Sequence, residues 1–454
     1  MSFIRAHKVE VGIVLLAVVV RVLYFSVALD AHNGNLLDTS RAADGYTVIA
    51  ENVIAGHGFS NSGGPPYTPN SFRMPLQPYF LAVAHALPGG WWAALALTLA
   101  IGRLLPLFGM YITEQLFQHR RLAVAAGILL ALEPVSILFS VLFYSETLFT
   151  LFLLSSVLYL FAYFRNKRLL HLALSSSFLG LAMLVRPTVE YLPLLYIVLI
   201  LWDGRNSLSW PLFGRAAFYG FVFLLALSPW LLRNYREFGI IAITPQTGVN
   251  LYANLVPSVL SIERGTSFDE EYQNLQAQGV SGPNQTGIGE GVGYVGKASA
   301  LLFEHPAGLL FTAGLVGVTF FTHDGVLDLL RLAKLAPSER LGAPALALLF
   351  TDPRALWGHI TYFITTPAVF VLIMRIVWYA VTVLFCVGIF AYVRRYGLTP
   401  SSLAALGTVA YFALVTIIVG LTVNARYRLP VEALIIPFAL YGLLYLKTLW
   451  RRSQ

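Results

Sequence analysis

The chain has 454 residues, of which 57% are hydrophobic and only 11% charged, with a formal net charge of +8. A soluble domain carries about 25% charged residues. The composition therefore excludes a disordered chain, a coiled coil, a nucleic-acid-binding domain and an ordinary cytosolic enzyme. Apolar surface on this scale calls for lipid as solvent, and the chain reads as an all-α, polytopic transmembrane helix bundle of about 10–12 spans.

A hydrocarbon core of about 30 Å takes roughly 20 helical residues to cross. The first such run is 9–29, behind Arg5 and Lys8. It is longer than the apolar part of a cleaved leader, and Arg21 within it also argues against a simple export signal. A polar loop follows over 30–74. In it Asp44-Gly45-Tyr46 precedes an amphipathic stretch, 47–55, closed by Gly56-His57-Gly58, where glycine is a natural C-terminal cap. Asp44 thus stands at or near a helix N-terminus, where a carboxylate is favoured. Such an acid fits a plain N-cap, and equally a base at the membrane surface that takes a proton from a hydroxyl. Asp38 admits both readings too. The loop closes on Phe72-Arg73-Met74-Pro75. Arg73 there can snorkel to the bilayer edge or meet a phosphate at headgroup depth with its fork of donors.

Further apolar runs lie at 91–114, 122–138, 141–163, 171–186, 188–202, 215–232, 362–392, 402–421 and 430–447. Two stretches that begin with proline, 75–87 and 306–321, are short for a span and read as helices lying along the interface. The chain then divides into 1–232, which carries the first outer loop, a second large outer loop at 233–361, and a C-terminal membrane part at 362–454. Basic residues fall on alternate connections, from Arg5 and Lys8 through Arg120-Arg121 and Arg394-Arg395 to Arg451-Arg452. Short loops rich in Lys and Arg stay in the cytoplasm. Ten spans therefore put both termini in the cytoplasm and the two large loops on the periplasmic or exterior face of the cytoplasmic membrane. Loops this long in an economical bundle point to a reaction centre facing outward.

Ions inside apolar runs are costly and should face the bundle interior with a partner. Glu133, Glu146 and Arg186 are of this kind, and they fit a structural ion pair as well as a catalytic one. The last outer connection, Asn424-Ala425-Arg426-Tyr427-Arg428-Leu429-Pro430, holds two arginines against the cytoplasmic bias, which an anionic ligand would explain. With Arg73, and with Arg233 behind Pro229-Trp230, Arg426 and Arg428 make four candidate phosphate contacts. The histidines on the outer side show no metal-binding spacing. The single cysteine, Cys386, reads as a small core hydrophobe. No P-loop or dinucleotide fingerprint occurs, and no cofactor is firmly predicted.

Six stretches then stand in a telling order. They are Asp44-Gly45-Tyr46 through Gly56-His57-Gly58-Phe59-Ser60, Phe72-Arg73-Met74-Pro75-Leu76, Tyr144-Ser145-Glu146-Thr147-Leu148-Phe149, Leu184-Val185-Arg186-Pro187, Pro229-Trp230 with Arg233-Asn234, and Arg426-Tyr427-Arg428-Leu429-Pro430. So arranged, the chain resembles the glycosyltransferase C superfamily, integral-membrane enzymes that use polyprenyl-phosphate sugars. It looks closest to the branch with the lipid A aminoarabinose transferase and the protein mannosyltransferase-like proteins. The similarity runs from Arg21 to Leu446 and weakens over 263–355.

The resemblance implies an inverting transferase that moves a monosaccharide from a polyprenyl-phosphate donor to a hydroxyl of a lipid, glycan or protein acceptor. It implies Asp44 as the catalytic acid. The family's usual spacing has that acid four residues before the tyrosine, whereas Asp44 precedes Tyr46 by two, so Asp38 is the second choice. It implies lipid-phosphate binding for Arg73, with Tyr46, His57, Glu146, Arg186 and Tyr427 in support. Some relatives use a divalent metal and others do not. The alternative is a transporter or flippase for a lipid-linked or anionic substrate. It would explain Glu146 and Arg186, but not the two large loops or the lack of repeated halves.

Overall fold

The structure, a computed structural model, describes residues 7–41, 44–205, 209–280, 286–336, 348–349, 352–366 and 369–452. Regular structure among the described residues is helical, and a β-bridge joins Ser60 to Pro69. In lipid a helix satisfies every backbone donor and acceptor within its own segment, which is why runs of such apolar sequence fold this way.

Among the described residues seven helices are long and apolar enough to cross a membrane. They are Lys8–Ala31, Trp91–Phe117, Glu146–Asn166, Trp210–Phe238, Val369–Tyr396, Pro400–Thr422 and Leu429–Arg451. Counting each bent pair as one span raises the number to nine, against the ten expected. The differences have local causes. The run at 122–138 is two helices, Arg120–Ala131 and Pro134–Val141, bent by 52°. Pro134 cannot continue the first helix, and Glu133 starts the second by accepting the Ser136 N–H at 2.5 Å. The runs at 171–186 and 188–202 become Leu169–Val185 and Leu192–Asp203. The second has 12 residues, about 18 Å of helix, too short to cross the core alone. Pro187 and Pro193 bound the turn between them. The 75–87 stretch is a helix of 10 residues, Leu76–His85, about 15 Å long and unable to span. Pro306–Thr322 lies at 104° to Ile288–Glu304.

The described part of 233–361, read from sequence as a large outer loop with interfacial helices, is largely helical, from Gln246–Val249 to Pro353–Thr365. One further expectation is corrected. Cys386 is exposed on the outside of Val369–Tyr396 rather than packed in the core.

Glu146–Asn166 and Leu429–Arg451 are the most enclosed spans, each with 72% of its apolar window buried, whereas Val369–Tyr396 has 17%. The first two form the centre and the third a lipid-facing wall. At one end of the bundle Glu10 pairs with Arg120 at 2.6 Å and Lys167 with Asp203. At the other end the chain leaves Lys8–Ala31 for Asp44, leaves Leu169–Val185 for Arg186, and leaves Pro400–Thr422 for Arg426. These three departures meet.

Gly420 lets the span Pro400–Thr422 end where it does. Its φ is +54°, and an added Cβ would lie 2.1 Å from Ser258 Oγ and 2.8 Å from Asn254 O. Gly420→Ala is expected to cost about 2 kcal/mol in detergent melting, since strain and clash add. An unchanged midpoint would contradict this.

Candidate functional site

The site is assembled from the chain's departures from helix. Gly45, at φ +77°, caps Tyr46–Ile54, and an added Cβ there would sit 2.4 Å from Asn61 Oδ1. Glycine thus takes the capping place, and Asp44 is not the N-cap. Its carboxylate turns instead to two guanidiniums. Arg426 Nη2 donates to Asp44 Oδ2 at 2.8 Å, and Arg73 Nη2 lies 3.4 Å from Asp44 Oδ1.

Each arginine is held from behind. The Arg73 N–H donates to Asn70 Oδ1 at 2.8 Å, and its guanidinium stands over the rings of Phe72 and Tyr46. The Phe72 carbonyl accepts from Thr244 Oγ1 at 2.8 Å and Gln246 Nε2 at 2.5 Å, which ties this loop to the distant 244–246 segment. Arg426 receives a turn from Asn424, whose side chain accepts the Arg426 N–H at 3.0 Å. Its guanidinium rests over Tyr144, 4.6 Å from the ring centre.

Arg426 Nε and Arg186 Nη1 both donate to Oε1 of Glu146, which is fully buried at the first turn of its helix. Acid is favoured at that helix end, and two cations offset the cost of placing it in the bundle. Arg186 also donates to Ser145 Oγ at 3.4 Å, and so does the Tyr46 hydroxyl. Burial alone would raise the Asp44 carboxyl, but the charges of Arg426 and Arg73 outweigh it and hold that carboxyl below the usual aspartate range.

These groups border a cavity of about 450 Å³, which Asp44, Tyr46, Arg73, Arg186, Arg426 and Tyr427 line. The volume suits a monosaccharide with its phosphate. Glu146 lies beneath, supporting two of the arginines.

Four of the residues singled out in sequence lie elsewhere. Arg428 is fully buried, paired with Glu432 at 3.0 Å, donating to Phe320 O at 2.8 Å and stacked 3.4 Å from the Trp378 ring centre. Arg233 donates to Asn70 O at 2.9 Å among Phe59, Trp230 and Phe238. It braces the loop that carries Arg73 and does not line the cavity. His57 stacks on Tyr67 at 3.9 Å. Asp38 is exposed in the short helix Leu36–Ser40. Of the four candidate phosphate contacts, Arg73 and Arg426 reach the cavity, and Arg186 joins them.

The lining also includes residues that sequence reading passed over, chiefly Glu190, Thr247 and Asn250. Glu190 carries the same signal as Glu146, an acid at the head of an apolar run, and could have been found by it. Thr247 and Asn250 lie in polar sequence and carry no such mark. Among the described residues no three His, Cys, Asp or Glu side chains gather in one place.

Fold and cavity define a polytopic membrane protein with a pocket lined by three arginines and two acids, Asp44 and Glu190. Residues 69–232 match the family described as dolichyl-phosphate-mannose-protein mannosyltransferase. The chain is similar to that family over this segment, about a third of its length. No curated protein matches. Among solved structures, the apo oligosaccharyltransferase of Archaeoglobus fulgidus aligns over 98% of this chain and 51% of its own, with 15% identity and a TM-score of 0.49. The same enzyme in complex with zinc and sulfate aligns over 95% and 50%, with 16% identity and a TM-score of 0.48. The chain spans about half the length of these structures.

Proposed function

We propose that the protein is an inverting glycosyltransferase that moves a monosaccharide from a polyprenyl-phosphate donor to a hydroxyl acceptor at the outer face of the cytoplasmic membrane. The observation that carries this reading is the convergence of one carboxylate and three guanidiniums, from four distant stretches of chain, on one cavity. The donor brings its own leaving group, so no nucleotide is needed. Asp44 takes the proton of the acceptor hydroxyl, and the acceptor oxygen attacks the anomeric carbon from the face opposite the phosphate. The bond from that carbon to the phosphate oxygen breaks, and its electron pair stays on the phosphate. Arg73, Arg426 and Arg186 neutralise the growing charge, as an oxyanion site does. No step runs through a metal. The alternating basic connections support this sidedness. Glu146 and Arg186, the strongest signs of a transporter, here serve the Asp44 cluster, which favours chemistry over passage.

The test is transfer of labelled sugar from polyprenyl-phosphate donors by the detergent-purified protein, alongside mass spectrometry of the lipid that copurifies. A phosphorylated polyprenol with one sugar, consumed on adding acceptor, is the expected result. Absence of any such lipid together with absence of transfer would overturn the reading.

Asp44 also predicts a pH effect. In the free protein its two guanidinium partners keep it ionised and weakly basic. An incoming phosphate competes for those guanidiniums and so raises the carboxyl. The acid limb of kcat/KM, which reports the free enzyme, is expected at a lower pH than the acid limb of kcat, which reports the complex. The reverse order would contradict this linkage.

A further inference from the structure

The cavity lining holds two chemically different sets of residues, the guanidiniums of Arg73, Arg186 and Arg426, and a second set of Glu190, Thr247 and Asn250. Among the described residues no cation lies within 4.0 Å of Glu190, and its hydrogen bond is a long one, from Thr247 Oγ1 at 3.3 Å. Burial pushes its carboxyl above the usual range, and the Thr247 bond only partly reverses that. The carboxylate is thus half-buried, borders the cavity and has acceptor capacity left for a ligand there.

The position is held firmly. Tyr411 donates to Thr188 O at 2.9 Å and accepts the Tyr191 N–H at 3.1 Å, so it clasps the turn on both sides of Glu190. That turn is the one Pro187 and Pro193 bound between two short helices. Across from it Asn250 begins a π-helical segment, Asn250–Leu255, within a longer helical stretch. Such turns break the regular backbone ladder and often mark functional sites.

We propose that the second set receives the sugar ring of the donor, with Glu190 accepting hydrogen bonds from two neighbouring ring hydroxyls and Thr247 and Asn250 completing the contact. The inference rests on the donor reading above and extends it. An anion is repelled by Glu190 and drawn to the guanidiniums, whereas a neutral polyol brings several donors and no charge. The difference in charge therefore orients the donor, its phosphate to the arginines and its ring to Glu190. This leaves Asp44, bound between Arg73 and Arg426, beside the bond that breaks.

The test uses the full chain in lipid nanodiscs and measures affinity for undecaprenyl phosphate and for undecaprenyl-phosphoryl mannose, glucose, galactose and arabinose. The native protein is expected to bind at least one glycosylated lipid more tightly than the bare phosphate. E190A should lose that increment, roughly 10-fold or more for hydrogen bonds to a charged group, while its affinity for undecaprenyl phosphate stays the same. E190Q, which keeps the shape, should lose part of the increment and serves if E190A folds poorly. R426A should weaken binding of every lipid alike. The proposal falls if E190A weakens bare and glycosylated lipids equally, if it leaves the increment intact, or if the native protein shows no increment for any of the four sugars. Failure of the native protein to bind undecaprenyl phosphate at all would instead remove the donor reading itself.

Discussion

Asp44→Asn is expected to lower sugar transfer roughly 10²- to 10⁴-fold, the usual worth of a positioned base, while donor affinity holds or improves. Asparagine keeps the shape and a carbonyl oxygen for the Arg426 contact, but it cannot accept the acceptor's proton. It also removes one of the two negative charges that balance the three guanidiniums, because Glu146 alone remains. The cavity therefore becomes more cationic and binds a phosphate more readily. The signature is a split, with kcat collapsing and donor binding preserved, and it separates a chemical role from a folding role. Single-turnover transfer and donor titration on the same preparation would show it. Full activity in the variant would dismiss Asp44 as the base.

Arg428→Ala is expected to have the largest effect on stability. The Arg428–Glu432 pair is enclosed, with 0% and 1% side-chain exposure. Removing one member of such a pair strands the other charge and costs about 3–5 kcal/mol. The same variant also loses the stack on Trp378 and the bond to the Phe320 carbonyl. Replacing both members, as in Arg428→Met with Glu432→Leu, removes the stranded charge, and most of the stability is expected to return. Detergent melting of the two single variants and the double variant checks this, and a double variant less stable than either single one would refute it. Arg426→Ala, only two residues away, is expected to lose activity with much less effect on melting, because its partners Asp44 and Glu146 are shared with Arg73 and Arg186.

Much of this site was legible in the sequence because the membrane makes ions rare. In a chain with 11% charged residues, an acid or arginine at a span end is already conspicuous, and Asp44, Arg73, Glu146, Arg186 and Arg426 all stood out this way. Direction was not legible. Arg426 and Arg428 share a short connection and differ only by the turn of a tight 3₁₀ segment, which sends one into the cavity and the other into the core. Arg233 and Arg73 look alike as cations at span ends, but Arg233 is enclosed by Phe59, Trp230 and Phe238, brought from separate segments. Hydrophobic runs marked the long spans, whereas the breaks at Glu133–Pro134 and across Pro187–Pro193 depend on proline and capping that a count of apolar residues passes over. Glu190 was missed for that reason. It sat inside a run taken as one continuous crossing, when the chain there is a turn.

The closeness of Arg426 to Arg428 bears on turnover. A segment nailed into the protein interior two residues from its working side chain has no freedom to swing, so this lip of the pocket is a fixed jaw. On the proposed reading the spent lipid would leave by the other side of the pocket, where the Phe72 carbonyl accepts from Thr244 and Gln246, and weakening those two contacts is expected to change how quickly each cycle clears for the next.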